Sequence, residues 1–149
     1  MNSRYTAATN LRELSFLDVE ELIFWWNDEV NVDGRELRRC LDSCALMEGM
    51  SHSPNCQYVQ GVDPRAAVRD AVRYLERAHA AGLGLTMVTA ADMGLPDDGS
   101  AQTELTLSLI TDPIAVRSNG LFHNGRHRLQ TLVGAGVVGK VPVARGGHW

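Results

Sequence analysis

Pro113-Ile114-Ala115-Val116-Arg117-Ser118-Asn119-Gly120-Leu121-Phe122-His123-Asn124-Gly125-Arg126-His127-Arg128-Leu129 decides how this chain reads. Ile114 to Arg117 is apolar and β-branched enough for a strand. Asn119-Gly120 is a strong two-residue hairpin turn, and Leu121 to His123 is the return strand. A helix opens directly after Asn124-Gly125. It is expected from Arg126 to Ala135, with Leu129, Leu132 and Val133 on one face and Gly136 at its end. Lys140 to Ala144 is a closing strand. The first amide groups of such a helix carry partial positive charge, and Gly125 lets a ligand come close to the backbone. Asn124, Gly125, Arg126, His127 and Arg128 therefore form a candidate anion site of the phosphate-cradling kind. Two arginines would hold phosphate oxygens, and His127 would add a donor or move a proton.

Upstream of this stretch the clearest element is a helix over Pro64–Ala81. Asp63 is its N-cap, Pro64 suits its first position and Gly82 ends it. Val68, Ala71, Val72, Leu75 and Ala78 fall on one face, while Arg65, Arg69, Asp70, Arg73, Glu76 and Arg77 mark a wet side. His79, in the last turn, is read as structural. Leu85–Val88 is a short strand. Thr103–Ile110 is ambiguous: Leu105, Leu107 and Leu109 alternate as in a strand, yet Ser100 would cap a helix running to Ile110. Residues 1–10 are mostly polar and expected to be loose. Leu17–Glu29 reads as a helix capped by Ser15 or Asp18, apolar on most sides and so either buried or an interface. Arg35–Met47 reads as another helix, followed by a loop.

Charge is distributed unevenly. All 18 acidic residues lie between Glu13 and Asp112, so residues 113–149 carry +5 and the remainder −9. A basic lobe on an acidic body favours a local anion site over a surface coated for nucleic acid. Hydrophobic residues make up 44% and charged residues 21%, an ordinary globular balance. No run is long enough to span a membrane, and no secretory signal is read at the N-terminus, so a cytoplasmic protein without a membrane partner is expected. Three cysteines do not make a complete disulfide framework.

Pro113-Ile114-Ala115-Val116, the Asn119-Gly120 turn, Asn124-Gly125-Arg126-His127-Arg128-Leu129 and Val141-Pro142-Val143 occur in an order and spacing that resemble the ParB N-terminal/sulfiredoxin-like superfamily. The likeness covers residues 113–143 and extends to residue 85 if Leu85–Val88 is the family's first strand. It implies an α+β fold, a small mixed sheet with packed helices over residues 83–149, while the residues before it read by their own patterning as a helical N-terminal region over 1–82. It also implies a nucleoside triphosphate, with Mg²⁺, as cofactor or substrate at the turn. Gly125 and the helix start would face the phosphates, and His127 and Arg128 would contact them. Arg126 stands where sulfiredoxins keep a catalytic cysteine, which argues against sulfiredoxin chemistry. No helix-turn-helix is recognised after the box, so a DNA-sliding clamp is not expected. An Asp-Gly-Gln-His-Arg variant linked to modified-DNA sensing differs at Asn124 and Arg126.

Other constellations are weaker. Cys40, Cys44, His52 and Cys56 would supply four ligands to a structural Zn²⁺, though without the usual knuckle spacing; the competing reading buries Cys44 and leaves the rest incidental. Asp28, Glu29 and Asp33 would bind Mg²⁺ or simply form a solvated helix end. Glu104 and Asp112 precede the box, and either would serve as general base beside His127 in NTP hydrolysis or phosphoryl transfer. Trp25 and Trp26 would stack on a base or pack in the core. Three functions follow in order: a nucleotide-binding protein that hydrolyses or transfers phosphate; a DNA-binding or nuclease module on the same fold; and a non-enzymatic partner-binding protein of a phage or mobile element. The last would use Leu22–Trp26 as interface and form a homo-oligomer through its N-terminal helices.

Overall fold

Asp63 and Gly82 bracket the longest described helix, and the computed structural model, which describes residues 8–24, 62–116 and 122–145, shows how each acts. Helix α1 (Pro64–Ala80) begins where the Asp63 carboxylate accepts the Ala66 N–H at 3.1 Å. It ends in a Schellman turn, with Leu83 N–H donating to the Ala78 carbonyl and Gly82 N–H to that of His79. Its buried side carries Ala67, Val68, Ala71, Tyr74, Leu75 and Ala78, while Val72 is half-buried. His79 Nε2 meets the Leu11 carbonyl at 2.9 Å, and its ring stands edge-on to Phe16. This is the structural role read for His79 from the sequence.

The ambiguous leucine stretch is a helix, α2 (Ala101–Thr111), with the Ser100 hydroxyl accepting the Thr103 N–H at 3.2 Å. Residues 105–110 are all buried, so the leucines face the core on several sides. The hydroxyls this encloses are satisfied locally: Thr106 donates to the Gln102 carbonyl at 2.9 Å and Ser108 to that of Leu105 at 2.8 Å. The Gln102 amide joins the starts of the two helices, accepting the Asp63 N–H at 2.6 Å and donating to its carbonyl at 3.0 Å. Fully burying a Leu or Ile contributes about 1.5–3 kcal/mol, and Leu105, Leu109 and Ile110 are each fully buried.

The described strands form two sheets. β1 (Ala8–Asn10) pairs antiparallel with β3 (Leu85–Met87). The second sheet contains β2 (Leu14–Asp18), β4 (Ile114–Val116), β5 (Phe122–Asn124) and β6 (Lys140–Arg145), in the order β2-β6-β4-β5. β6 runs antiparallel to β2 and parallel to β4, and β4 runs antiparallel to β5, so the sheet is mixed. Pro142 lies one residue before the parallel ladder starts at Ile114 and Val143, where it takes no place in that ladder. Helix α3 (Arg126–Gly134) connects β5 to β6 and ends in a second Schellman turn at Gly136. The fold is α+β, with small sheets and packed helices.

Two N-terminal readings are corrected. Ala8–Asn10 is a strand rather than a loose tail, because β3 offers it an antiparallel partner. Leu14–Asp18 is also a strand, where a helix was expected to start at Leu17. β6 supplies its backbone partners, with Leu14 opposite Ala144 and Leu17 opposite Val141. Helical structure begins at residue 19, after Asp18 accepts the Glu20 N–H at 3.0 Å. Residues before 82 thus contribute two strands and α1 to the same core as the segment after 82. The expected helix over Arg35–Met47 and the Asn119-Gly120 turn lie outside the described residues.

Candidate functional site

Strand β5 ends at Asn124, and α3 starts at Arg126 with a single residue between them. That residue, Gly125, has φ +87°, a left-handed conformation that glycine adopts without steric cost. A second constraint comes from below. A Cβ on Gly125 would lie 2.7 Å from Ile114 Cα and 2.9 Å from Ile114 Cγ1. The close approach at Gly125 is therefore filled on one side by the protein's own strand β4. The junction still has the expected order of strand, glycine and helix start, and the structure adds the left-handed conformation of the glycine.

Two further expected residues meet at this junction. Asp112 caps the C-terminal end of α2, and Arg128 lies in the first turn of α3. The Arg128 guanidinium donates to Asp112 Oδ2 at 3.2 Å. Arg128 is 8% exposed and Asp112 is half-buried, so the guanidinium end of the pair lies inside the protein and the carboxylate end at its edge. Removing Asp112 would take a counter-charge away from a buried guanidinium, which is costly. The pair therefore ties the first turn of α3 to the end of α2. Arg126 and His127 are the first two residues of α3, as expected, whereas Asn124, expected in the turn after a strand ending at His123, is the last residue of β5. Their side chains lie outside the described residues.

β4 and β5 fall out of step by one residue. Ala115 is opposite Asn124 while Val116 is opposite Phe122, which leaves His123 as the extra residue of a bulge. A bulge bends a strand and re-aims its side chains. This one lies immediately before the junction.

Glu104 does not join the group. It sits in the first turn of α2, eight residues before Asp112, or about 12 Å along the helix axis. The structure thus brings Asp112, Ile114, Gly125 and Arg128 together and places Glu104 at the other end of a helix. Cys40, Cys44, His52 and Cys56, with Asp28, Glu29, Asp33, Trp25 and Trp26, lie outside the described residues. Among the described residues no cluster of three or more His, Cys, Asp or Glu is arranged to hold a metal. No helix among them is long and apolar enough to cross a membrane. Of the expected interface segment, Leu22 is fully buried and Phe24 is 68% exposed.

Sequence reasoning missed a cleft between α1 and the turn that follows α3, lined by Arg65, Arg69, Arg73 and Lys140. The four-residue spacing of the arginines is visible in the sequence, where it reads as a solvated helix side. Only the fold brings Lys140 opposite them.

The chain matches no protein-family model, and it matches neither a curated protein nor a solved structure. The likeness of residues 113–143 to the ParB/sulfiredoxin-like superfamily accordingly rests on the ordered motif itself.

Proposed function

We propose that this chain binds phosphate groups, as a nucleotide-binding protein, at the turn between β5 and α3. The observation that carries the reading is the junction at Gly125, where a left-handed glycine passes the chain from strand to helix without an intervening loop. The N–H groups of a helix's first turn have no acceptor within the helix and sit at the positive end of its dipole. Such a turn is a ready receptor for phosphate oxygens. Arg126 and His127 are the side chains assigned to the ligand. The Arg128–Asp112 pair ties the first turn of α3 to the end of α2. A nucleoside triphosphate with Mg²⁺ is the ligand class on this reading, with hydrolysis or phosphoryl transfer as the chemistry and His127 as the proton-moving group.

The test is a thermal-shift panel of ATP, CTP and GTP with Mg²⁺, run on the wild type and on Arg126→Ala. At a hundredfold excess over Kd, ligand binding stabilises by about 2.7 kcal/mol, or roughly 5–10 °C for a chain of this size. At least one nucleotide is expected to raise the wild-type Tm on that scale, with a smaller rise for the variant. Flat melting temperatures for all three nucleotides would overturn the reading.

A further inference from the structure

Arg65, Arg69 and Arg73 stand four residues apart on α1, and all three are exposed. Four residues advance an α-helix by about 6 Å and slightly more than one turn, so the three guanidinium groups form a row. The row borders an open cleft of about 620 Å³. Gly136, Val138 and Lys140 form the facing wall, and Val68, Val72 and Val137 make the floor. Two contacts join the walls. Arg65 donates to the Gly136 carbonyl at 3.4 Å, and Lys140 Nζ lies 3.3 Å from Glu76 Oε2.

Among the described residues, four cationic side chains line this cleft against one carboxylate, that of Glu76. Asp70 lies beside them and pairs with Arg69 at 3.3 Å. Both ion pairs are solvent-exposed, where such contacts are weak and exchange readily for a competing anion. On a chain of net charge −4 the cleft concentrates positive charge locally.

We propose that this cleft docks the sugar–phosphate backbone of duplex DNA without reading its sequence. Three of the four cations are arginines, whose planar forks hold phosphate oxygens through paired hydrogen bonds. Their repeat along α1 is comparable to the separation of successive phosphates on one strand. An acidic peptide offers carboxylates on flexible stems and gains less from a fixed row. None of the described residues lining the cleft is aromatic, so it offers no platform for stacking the bases of a single strand. That favours a duplex. The cleft adjoins Gly136, past the end of α3, whereas the phosphate turn lies at the start of that helix. The two sites are separate, and neither proposal rests on the other.

Fluorescence anisotropy with a labelled duplex of mixed sequence, measured between about 50 and 200 mM salt, tests the proposal. The wild type is expected to bind with log K falling linearly against log salt. Arg69→Ala combined with Arg73→Ala is expected to reduce that slope by about 2, since each lost phosphate contact removes about one. The matching double lysine variant is expected to keep the slope. Failure of the wild type to bind at low salt, or equal slopes for wild type and double alanine variant, would overturn the proposal. So would tighter binding of single-stranded DNA or polyglutamate than of the duplex. The double alanine variant is expected to keep any nucleotide-induced thermal shift, and loss of that shift with the DNA slope intact would also count against two separate sites.

Discussion

Gly125 answers two demands at once. Its φ of +87° lies in the left-handed region, and its α-carbon rests against Ile114. Gly82 meets only the first demand: its φ is +72°, but a Cβ there would find nothing within 4 Å. The two glycines therefore separate backbone strain from steric overlap. Gly82→Ala is expected to cost about 1–2 kcal/mol, the left-handed penalty alone. Gly125→Ala adds overpacking against a strand, for a total of about 2–5 kcal/mol. Urea denaturation of both variants checks this, and equal losses would refute it. The need for glycine at 125 was legible in the sequence, but its full cause was not. Sequence suggested room for a ligand, whereas the neighbour on one side is Ile114, eleven positions earlier, placed there by the pairing of β4 with β5. The Arg128–Asp112 pair was hidden for a similar reason. Both residues were singled out, yet nothing in their spacing says that a buried guanidinium would turn to the end of α2.

At the level of elements, local signals were read correctly where they were chemical and missed where they were topological. Asp63-Pro64 and Gly82 bound α1 as their types require. Ser100 resolves the leucine stretch as a helix, because its capping bond starts α2 while the alternating leucines find a core on more than one side. Leu14–Asp18 was missed because a short strand draws its stability from a partner, here β6, far along the chain. The loop leading into α2 has its own electrostatics. The Asp98 carboxylate accepts hydrogen bonds from Ser100, first from its N–H, at 2.9 Å, and these hold it below the ordinary value of 3.8. A carboxyl depressed on folding contributes stability above its unfolded pKa and loses it as pH falls through the folded value. Asp98→Ala is therefore expected to lower Tm at neutral pH and to converge with the wild type as pH falls below about 4. Melting curves across that range decide it, and a constant gap would refute the assignment.

Across the whole molecule, β6 joins the parts. It lies between β2 and β4, and α1 packs on the same core, so residues before 82 and after 83 complete one another. Residues 83–149 expressed alone lack α1 and β2 and are expected to show no cooperative thermal transition. A sharp transition with wild-type-like far-UV dichroism would show that the segment folds independently. The pairing of Asp18 with Lys140 also spans about 120 residues. On the ribosome, β2 emerges that far ahead of its partner, a delay of roughly 6–24 s at ~5–20 residues per second. Leu14 and Leu17, which finish buried, spend that interval without a sheet to enter. The nascent polypeptide thus carries an apolar segment whose partner strand arrives only once the residues around Lys140 have been made.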